Sequence, residues 1–280
     1  MKRLTFLLAM AIGLVSCRHT VLEDRTTCPS LLYFDIFNAG AFGTVDRVLV
    51  NAYRYPDQLS LGSDTTTIRA LEGRSFSMDI READAVRGSG VLGFRECRTE
   101  DGMRWTAPPG SSFDPLFRFS FLSVVEPEEF TVPVEFVKEH CCVTLQFLSA
   151  GDWSPDGGEE AFPFEIVVRS GTCGLDALTG APIEGTFTCT AREEKPGVFQ
   201  LILPRQANDN LLMELYGKPG LYPIQGLAHS YNLGGLMKEL GGISWQEKNL
   251  PDILIGINFK TTDFQVEVIP WEQENIDYEY

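Results

Sequence analysis

Residues 198–203, with the sequence VFQLIL, carry the pattern that decides the fold. Phe199, Leu201 and Leu203 alternate with Gln200, which is the two-residue period of a half-buried β-strand. Similar short runs, rich in β-branched and aromatic side chains, recur along most of the chain, and that composition is typical of strands. We therefore predict a protein built almost entirely from short strands.

Predicted strands follow one another from residue 31 to residue 269. They cover residues 31–37, 45–55, 67–71, 75–80, 116–125, 130–137, 141–148, 162–169, 185–190, 198–203, 211–216, 253–258 and 264–269. Two stretches rich in glycine and proline, residues 84–93 and 99–114, are predicted to be loops. Many short strands with turn signals at ~8–12-residue intervals predict β-sandwiches.

A single helix interrupts the predicted strands. Apolar residues recur at helical spacing from Leu233 to Leu240, and Gly241 and Gly242 follow as a stop signal. A chain of 280 residues is long enough for two domains, each with its own core. We predict an all-β protein of two β-sandwich domains in tandem, with one short helix in the second domain.

The first seventeen residues have the layout of an export signal. Lys2 and Arg3 precede an apolar run over residues 4–15, and Ser16 and Cys17 follow. These are the parts of a secretory signal peptide, and the run is shorter than the ~20 apolar residues that span a bilayer. The ending Leu-Val-Ser-Cys resembles the lipobox of bacterial lipoproteins, which implies cleavage before Cys17 and acylation of Cys17. An ordinary signal peptide beside an unrelated cysteine is the alternative.

The predicted organisation therefore has five parts. They are a lipoprotein signal peptide (1–16), a lipidated leash (17–29), a first sandwich (30–129), a second sandwich (130–271) and an acidic tail (272–280). Ten fully extended leash residues reach at most ~35 Å, so the leash would hold the body near the membrane.

The net charge narrows the range of partners. The formal charge of −16 argues against nucleic acid as a partner, because nucleic-acid affinity comes mainly from Lys and Arg that neutralise phosphates. It also argues against electrostatic adhesion to a membrane surface. Acyl chains on Cys17 would have to supply the membrane attachment.

Seven cysteines are present, and six remain once Cys17 is assigned to lipid. An even number in an exported chain permits disulfides. Cys173 and Cys189 are the candidate pair, because they flank a segment with glycine and proline that could fold back as a hairpin. The alternative is two reduced thiols packed as small apolar groups.

No pattern in the sequence indicates catalysis, a metal site or a cofactor. Nucleophile elbows, P-loops, dinucleotide-binding turns and zinc-protease helices are absent from the sequence. Acidic residues cluster within residues 152–160, but their spacing is not that of a calcium loop. Tryptophans could build a sugar-binding platform, although they are scattered along the chain: Trp105, Trp153, Trp245 and Trp271. We expect a protein that is not an enzyme.

The order of several short motifs resembles one family. The motifs are the lipobox cysteine, Cys28-Pro29 before the first strand, LPDI at 250–253, IGINF at 255–259 and VEVIPW at 266–271. In this order they resemble the FimB-like fimbrial anchor and minor-subunit lipoproteins behind the type V fimbriae of Gram-negative anaerobes. The resemblance implies transthyretin-like sandwiches and a non-enzymatic role at the outer membrane and cell surface, anchoring a fimbria and limiting or starting its assembly.

Subunits of such fimbriae join by strand exchange, in which an extended segment of one subunit completes the sheet of another. The resemblance therefore implies other fimbrial subunits as partners and makes the first strand a candidate exchange element: Leu31, Leu32, Tyr33, Phe34, Asp35, Ile36 and Phe37. Stalk subunits of the related families lose a longer pro-segment after an arginine, and with it the lipid. Here only Arg18 and Arg25 lie in the leash, so we expect an anchor that keeps its lipid; cleavage after Arg25 would overturn this.

Two further predictions concern the last strand of the chain and an alternative function for the protein. Residues 264–269 are expected to be the last strand of the second sandwich, not a donor segment, because the following tail is short and acidic. A surface lipoprotein of the same fold that binds a glycan or a host protein, through tryptophan-bearing loops, is the alternative function.

Overall fold

A computed structural model describes residues 31–37, 47–55, 60–67, 76–77, 85–124, 129–150, 153–154, 161–260 and 263–269. Within these ranges the regular structure consists of strands and a single helix, which confirms the predicted all-β class. The strands of the first half are β1 (Leu31–Ile36), β2 (Arg47–Tyr55), β3 (Ser60–Thr67), β4 (Phe76–Ser77), β5 (Ala85–Leu92), β6 (Arg104–Thr106), β7 (Phe117–Val124), β8 (Glu129–Val134) and β9 (Val137–Lys138).

The second half continues with β10 to β18 and the helix α1. Their bounds are β10 (His140–Ala150), β11 (Phe164–Asp176), β12 (Pro182–Thr190), β13 (Arg192–Lys195), β14 (Val198–Pro204), β15 (Leu211–Gly217), β16 (Gly226–Asn232), α1 (Leu233–Gly241), β17 (Ile253–Lys260) and β18 (Asp263–Ile269).

Each half of the chain contributes two sheets. The first sandwich has a sheet in the order β4-β1-β8 and another in the order β3-β2-β5-β7-β9. The second has the sheets β13-β14-β10-β17-β18 and β12-β11-β15-β16, and β6 also pairs with β11. Pairing is antiparallel except between β1 and β8 and between β10 and β17, so each sandwich contains one parallel pair.

Aromatic side chains fill both cores. In the first core the Phe34 ring packs against Phe119 and Phe121. In the second core the Phe162 ring centroid lies 4.7 Å from that of Phe147 and 5.0 Å from that of Phe199. Phe199 is buried together with Leu201 and Leu203, so the alternation in residues 198–203 does mark the face of β14 that enters the core.

The prediction of a loop over residues 84–93 is wrong. Residues 85–92 form β5, which lies between β2 and β7 in the centre of its sheet. Gly88 and Gly90 are needed there because the rings of Phe121 and Phe119 on the neighbouring strand occupy the space that a Cβ atom would take. Aromatic rings on β7 therefore supply the apolar cover that β5 lacks, and the glycines that suggested a loop permit a buried strand.

The strand pairing places the junction between the two sandwiches further along the chain than the predicted boundary at residues 129 and 130. A boundary between residues 129 and 130 would separate β8 from β1, with which β8 pairs along its whole length. Phe130, Val132 and Val134 are buried in the first core, and β9 pairs with β7. By pairing and packing, residues 129–138 go with the first sandwich, and the connection to the second lies at residues 138–140.

The helix begins and ends where the sequence predicts. The side chain of Asn232 accepts a hydrogen bond from the Gly235 amide and caps the amino end. Gly242 adopts a left-handed conformation with φ of 62° and donates its amide hydrogen to the Lys238 carbonyl. Positive φ at this position favours glycine, because it lacks the Cβ atom that would clash.

Candidate functional site

The candidate site is the first strand, β1, and the groove of the first sandwich that holds it. Leu32, Phe34 and Ile36 point into the core, whereas Asp35 on the alternate face is exposed. This is the inward–outward alternation of a half-buried strand. The predicted exchange element is therefore a structural strand whose apolar side chains are already buried within its own subunit.

Hydrogen bonding holds β1 mainly on one side. It runs parallel to β8 over six register pairs, from Leu31 opposite Glu129 to Ile36 opposite Val134, and the Phe37 amide then donates to the Val134 carbonyl at 3.2 Å. On the other side, the described part of β4 pairs only with Leu31 and Leu32. The β8 edge is thus the principal main-chain template for this strand.

The side chain of Phe34 anchors β1 in the groove. Its ring centroid lies 5.3 Å from that of Phe119 and 5.5 Å from that of Phe121, both on β7 of the facing sheet. Phe119 in turn contacts Phe136 at 5.0 Å with nearly perpendicular ring planes. Removing β1 would expose this aromatic layer, so the groove that holds the strand is apolar.

Replacing Phe34 by alanine should destabilise the protein by about 3–5 kcal/mol, because it deletes a buried ring from a packed aromatic layer. The measurement is the free energy of unfolding from urea titrations. Asp35→Ala is the control: it changes an exposed residue on the same strand and should cost within about 0.5 kcal/mol. Similar small losses for both variants would mean that β1 does not contribute to the stability of the first core.

Several predicted site residues lie outside the described ranges. These are the cysteine predicted to be acylated, the two arginines of the predicted leash and the last tryptophan: Cys17, Arg18, Arg25 and Trp271. The signal peptide, the leash and the acidic tail also fall outside. At the carboxyl end, β18 pairs antiparallel with β17 over seven register positions and ends its sheet. Residues 264–269 thus belong to the last described strand of the second sandwich, as predicted.

The Cys173–Cys189 disulfide is not formed, and this prediction is wrong in the structure. Both cysteines are free thiols on the hairpin of β11 and β12. The hairpin itself was anticipated correctly, but its register places Cys189 opposite Val168, five positions along β11 from Cys173. At ~3.3 Å per residue that offset is about 16 Å, well beyond the ~7 Å between Cα atoms that a disulfide tolerates.

A buried charge cluster that the sequence pattern does not reveal lies where the two sandwiches join. Glu139, between β9 and β10, has a side chain only 1% exposed and lies between two arginines. Arg205, which follows β14, donates to one carboxylate oxygen of Glu139 through its Nε. Arg118 on β7 places its Nε 2.6 Å from the other oxygen, an ion pair without hydrogen-bond alignment. One carboxylate thereby bridges a strand of the first sandwich and a residue of the second.

The guanidinium of Arg205 also organises the chain before β17. Its terminal nitrogens donate to the carbonyls of Trp245, Glu247 and Lys248, the last two at 2.7 and 3.1 Å. Buried charges are stable only when paired and fully hydrogen-bonded, and this arginine meets both conditions. No local pattern around Glu139 could have revealed the cluster, since Arg205 lies 66 positions away.

A second buried carboxylate fixes the connection between β5 and β6. Asp114 accepts hydrogen bonds from the backbone amides of Arg95, Glu96 and Cys97 at 2.6, 2.9 and 2.7 Å. Burial and the neighbouring Asp114 charge raise the pKa of the Cys97 thiol, so Cys97 is held as an unreactive thiol. One carboxylate thus holds three successive backbone amides of this connection in place.

His140, next to the charge cluster, makes stability depend on pH. Burial and the positive charge of Lys138 lower its pKa from 6.5 to about 4, while its Nδ1 donates to the Leu116 carbonyl at 3.0 Å. Between these pH values the unfolded chain binds a proton that the folded protein does not, so stability is fully present above pH 6.5 and falls toward pH 4. We expect this one group to remove on the order of 2–3 kcal/mol by pH 4.5, from ~1.4 kcal/mol per pKa unit.

The comparison that isolates His140 uses His140→Gln. Carboxylates titrate in the same range, so the informative quantity is the difference in pH dependence between the two proteins. Urea unfolding at pH 7 and pH 4.5 should show a steeper loss for the wild type. Parallel curves would contradict a depressed pKa for His140.

The outer face of the second sandwich has a shallow depression of about 380 Å³. Arg169, Asn210, Leu212 and Asn232 contribute to its lining. Arg169 donates to Glu214 at 2.7 Å, and this hydrogen bond lowers the pKa of the Glu214 carboxyl. The depression is therefore polar at one edge, where the guanidinium is already engaged by a carboxylate.

The three tryptophans within the described ranges do not form the platform considered for sugar binding. The side chains of Trp105, Trp153 and Trp245 are each buried in the second core. Across the described ranges, no three His, Cys, Asp or Glu side chains lie together in a way that could hold a metal ion. In the same residues, no helix has the length and apolar character to cross a membrane.

Fold and site together define a class of protein with two tandem β-sandwiches, in which the first strand completes the first sandwich. No protein-family model and no curated protein sequence matches the chain. Solved structures do share its fold. A proposed polysaccharide-binding protein of the DUF1812 group from Bacteroides thetaiotaomicron aligns with a TM-score of 0.61 and 12% identity, covering 88% of this chain and 100% of the other.

Two further structures give similar alignments. The fimbrial anchor protein Mfa2 from Porphyromonas gingivalis has a TM-score of 0.59 and 10% identity, covering 86% of this chain and 96% of Mfa2. A proposed adhesin from Bacteroides ovatus has a TM-score of 0.60 and 14% identity, covering 87% and 94% of the two chains. The chain thus has the fold of solved adhesion and fimbrial proteins.

Proposed function

We propose that this protein is a lipid-anchored subunit of the outer membrane that attaches a strand-exchanged fimbria to the cell and helps to regulate its assembly or length. The role is non-enzymatic, and its partners are other fimbrial subunits and, through acyl chains on Cys17, the membrane. The main observation that supports the proposal is that β1 is paired and buried within its own subunit. This strand begins fourteen residues after Cys17 and is built into the core of its own subunit.

A seated first strand suits an anchor better than a stalk subunit. In strand exchange a subunit accepts a neighbour's segment where its own sheet has lost a strand. Here Leu32, Phe34 and Ile36 fill the groove, and the chain upstream of them leads to the lipid cysteine. A subunit that keeps this strand keeps both its lipid and its closed first sandwich. The fold shared with the anchor protein Mfa2 supports the same conclusion.

Deleting the gene in the organism that encodes it tests the proposal. We expect fimbriae of altered length and a larger share of them in the culture medium, because nothing would hold their base. Electron microscopy gives the lengths, and fractionation of cells and medium gives the retention. A plasmid copy of the wild-type gene should restore both. Normal length and normal retention in the deletion strain would contradict the anchor role.

Glycan binding is a second candidate function, favoured by the depression on the outer face of the second sandwich and by the polysaccharide-binding proposal for the Bacteroides thetaiotaomicron neighbour. A carbohydrate array distinguishes the two functions. Strong binding to one polysaccharide that Arg169→Ala abolishes would favour glycan recognition, and a blank array would disfavour it.

A further inference from the structure

Three exposed apolar side chains form a patch at one end of the first sandwich. Tyr55, Leu122 and Val124 are 45%, 60% and 63% exposed. Tyr55 ends β2 and Val124 ends β7, and both stand opposite Ala85 in the strand register. Leu122 lies one row away on the same face. We call these three residues the strand-end patch.

The part of that sheet face formed by the middle of β2 is covered. Asn51 donates through its side-chain amide to the Gly102 carbonyl at 2.9 Å, and the Tyr53 hydroxyl donates to the Asp101 carbonyl at 3.1 Å. The connection between β5 and β6 therefore packs on the middle of the sheet and stops short of the strand-end patch. The patch is an apolar part of this face that stays open to solvent.

The strand-end patch lies at the pole where the amino-terminal chain enters the body. Leu31, the first residue of β1, pairs with Glu129, which follows Val124 by five residues. The opposite strand ends, marked by the pairing of Phe117 with Lys138, lead to the second sandwich. The lipid cysteine is joined to Leu31 by residues 18–30, which span at most about 45 Å when fully extended.

We propose that the strand-end patch rests on the lipid bilayer that carries the acyl chains of Cys17. The proposal depends on the lipid anchor proposed above. The short leash keeps the patch at a high effective concentration near the membrane, so a contact too weak to bind a free protein suffices for a tethered one. Tyr suits the interface between head groups and acyl chains, and Leu and Val suit the apolar side of it.

The charge of the protein favours this kind of contact. A chain with a net charge of −16 gains nothing from anionic head groups, so an apolar contact is the available means of orienting the body. Arg87 stands beside Leu122 in the strand register and can meet lipid phosphates at the edge of the patch. The bilayer thereby holds one pole of the molecule and leaves the second sandwich directed away from it.

Photocrosslinking of the full lipidated chain on vesicles of phosphatidylcholine and phosphatidylethanolamine tests the contact. Leu122→p-benzoylphenylalanine puts the photoreactive group on the patch. Leu212→p-benzoylphenylalanine is the matched control, since Leu212 is also an exposed leucine but lies on the outer face of the second sandwich. After irradiation, mass spectrometry should find several-fold more phospholipid adduct at position 122 than at position 212.

Each other outcome has a distinct meaning. Protein that floats with the vesicles but gives equal adduct at both positions would overturn the membrane contact and leave the anchor intact. Crosslinks from position 122 to residues 18–30 would also overturn it, because the leash would then cover the patch. Protein that fails to float would refute the lipid anchor and the contact with it.

Discussion

Replacing Cys17 by alanine should move the protein from the membrane fraction to the soluble periplasm or the medium. The Cys17 thiol is the proposed attachment point of the acyl chains, and each acyl methylene contributes about 0.8 kcal/mol of membrane affinity. We therefore expect membrane retention to fall by more than about tenfold. The proposed anchor role also predicts that fimbriae appear in the medium in the same strain. Fractionation followed by immunoblotting measures both effects.

Cys28→Ala is the matched control for this experiment. Cys28 also lies close to the amino terminus but has no small residue and apolar run directly before it. Its replacement should leave membrane retention unchanged. If the Cys17→Ala protein still sediments with the membranes, the lipid assignment is wrong, and another part of the protein must be responsible for attachment.

Replacing Glu139 by glutamine should destabilise the fold by about 3–5 kcal/mol, which is the usual cost of breaking a buried ion pair by removing one partner. Glutamine fills the same space but leaves Arg118 and Arg205 without a counter-charge at the junction. Because these arginines come from different sandwiches, the variant should also loosen their connection. We expect faster amide exchange near residues 114–118 and 138–142.

Glu135→Gln provides the comparison for this prediction. Glu135 pairs with Lys248 at 2.6 Å, but its side chain is 43% exposed, so its replacement should cost at most about 1 kcal/mol. Urea unfolding of both variants gives the two free energies. Equal, small losses would contradict the inference that burial makes the Glu139 cluster essential to the junction.

The spacing of apolar residues correctly predicted the elements that bury an apolar face made of their own side chains. Residues 198–203 and the helix at 233–241 follow their sequence patterns closely, because one face of each is buried by a neighbouring element. The pattern failed at β5, where Gly88 and Gly90 carry no apolar side chain and the rings on β7 supply the packing. A single sequence does not show which strand lies beside another, so this compensation could not be seen.

Long-range pairing limited the rest of the prediction. Assigning β8 to the second sandwich followed the linear order of strands, whereas its parallel partner β1 lies almost a hundred residues earlier. The pairing of Cys173 with Cys189 was predicted for the same reason, because the sequence does not show the register of the two strands. For the candidate site, the strand at residues 31–37 could be predicted from its own side chains. The groove that holds it could not, since the groove is made from β7 and β8.

The parallel pairing of β1 with β8 has a mechanical consequence for an anchored filament. Tension from the proposed lipid would enter at Leu31, the amino end of β1, and leave through Val134, the carboxyl end of β8, toward the second sandwich. In a parallel pair these two points lie at opposite ends, so the pull runs along the strands. All the register pairs then bear the load together in shear, whereas a pull across the strands would unzip them one after another. Separation of β1 from β8 under force is governed by the unfolding rate. The shear arrangement therefore favours a long lifetime of the folded first sandwich under tension.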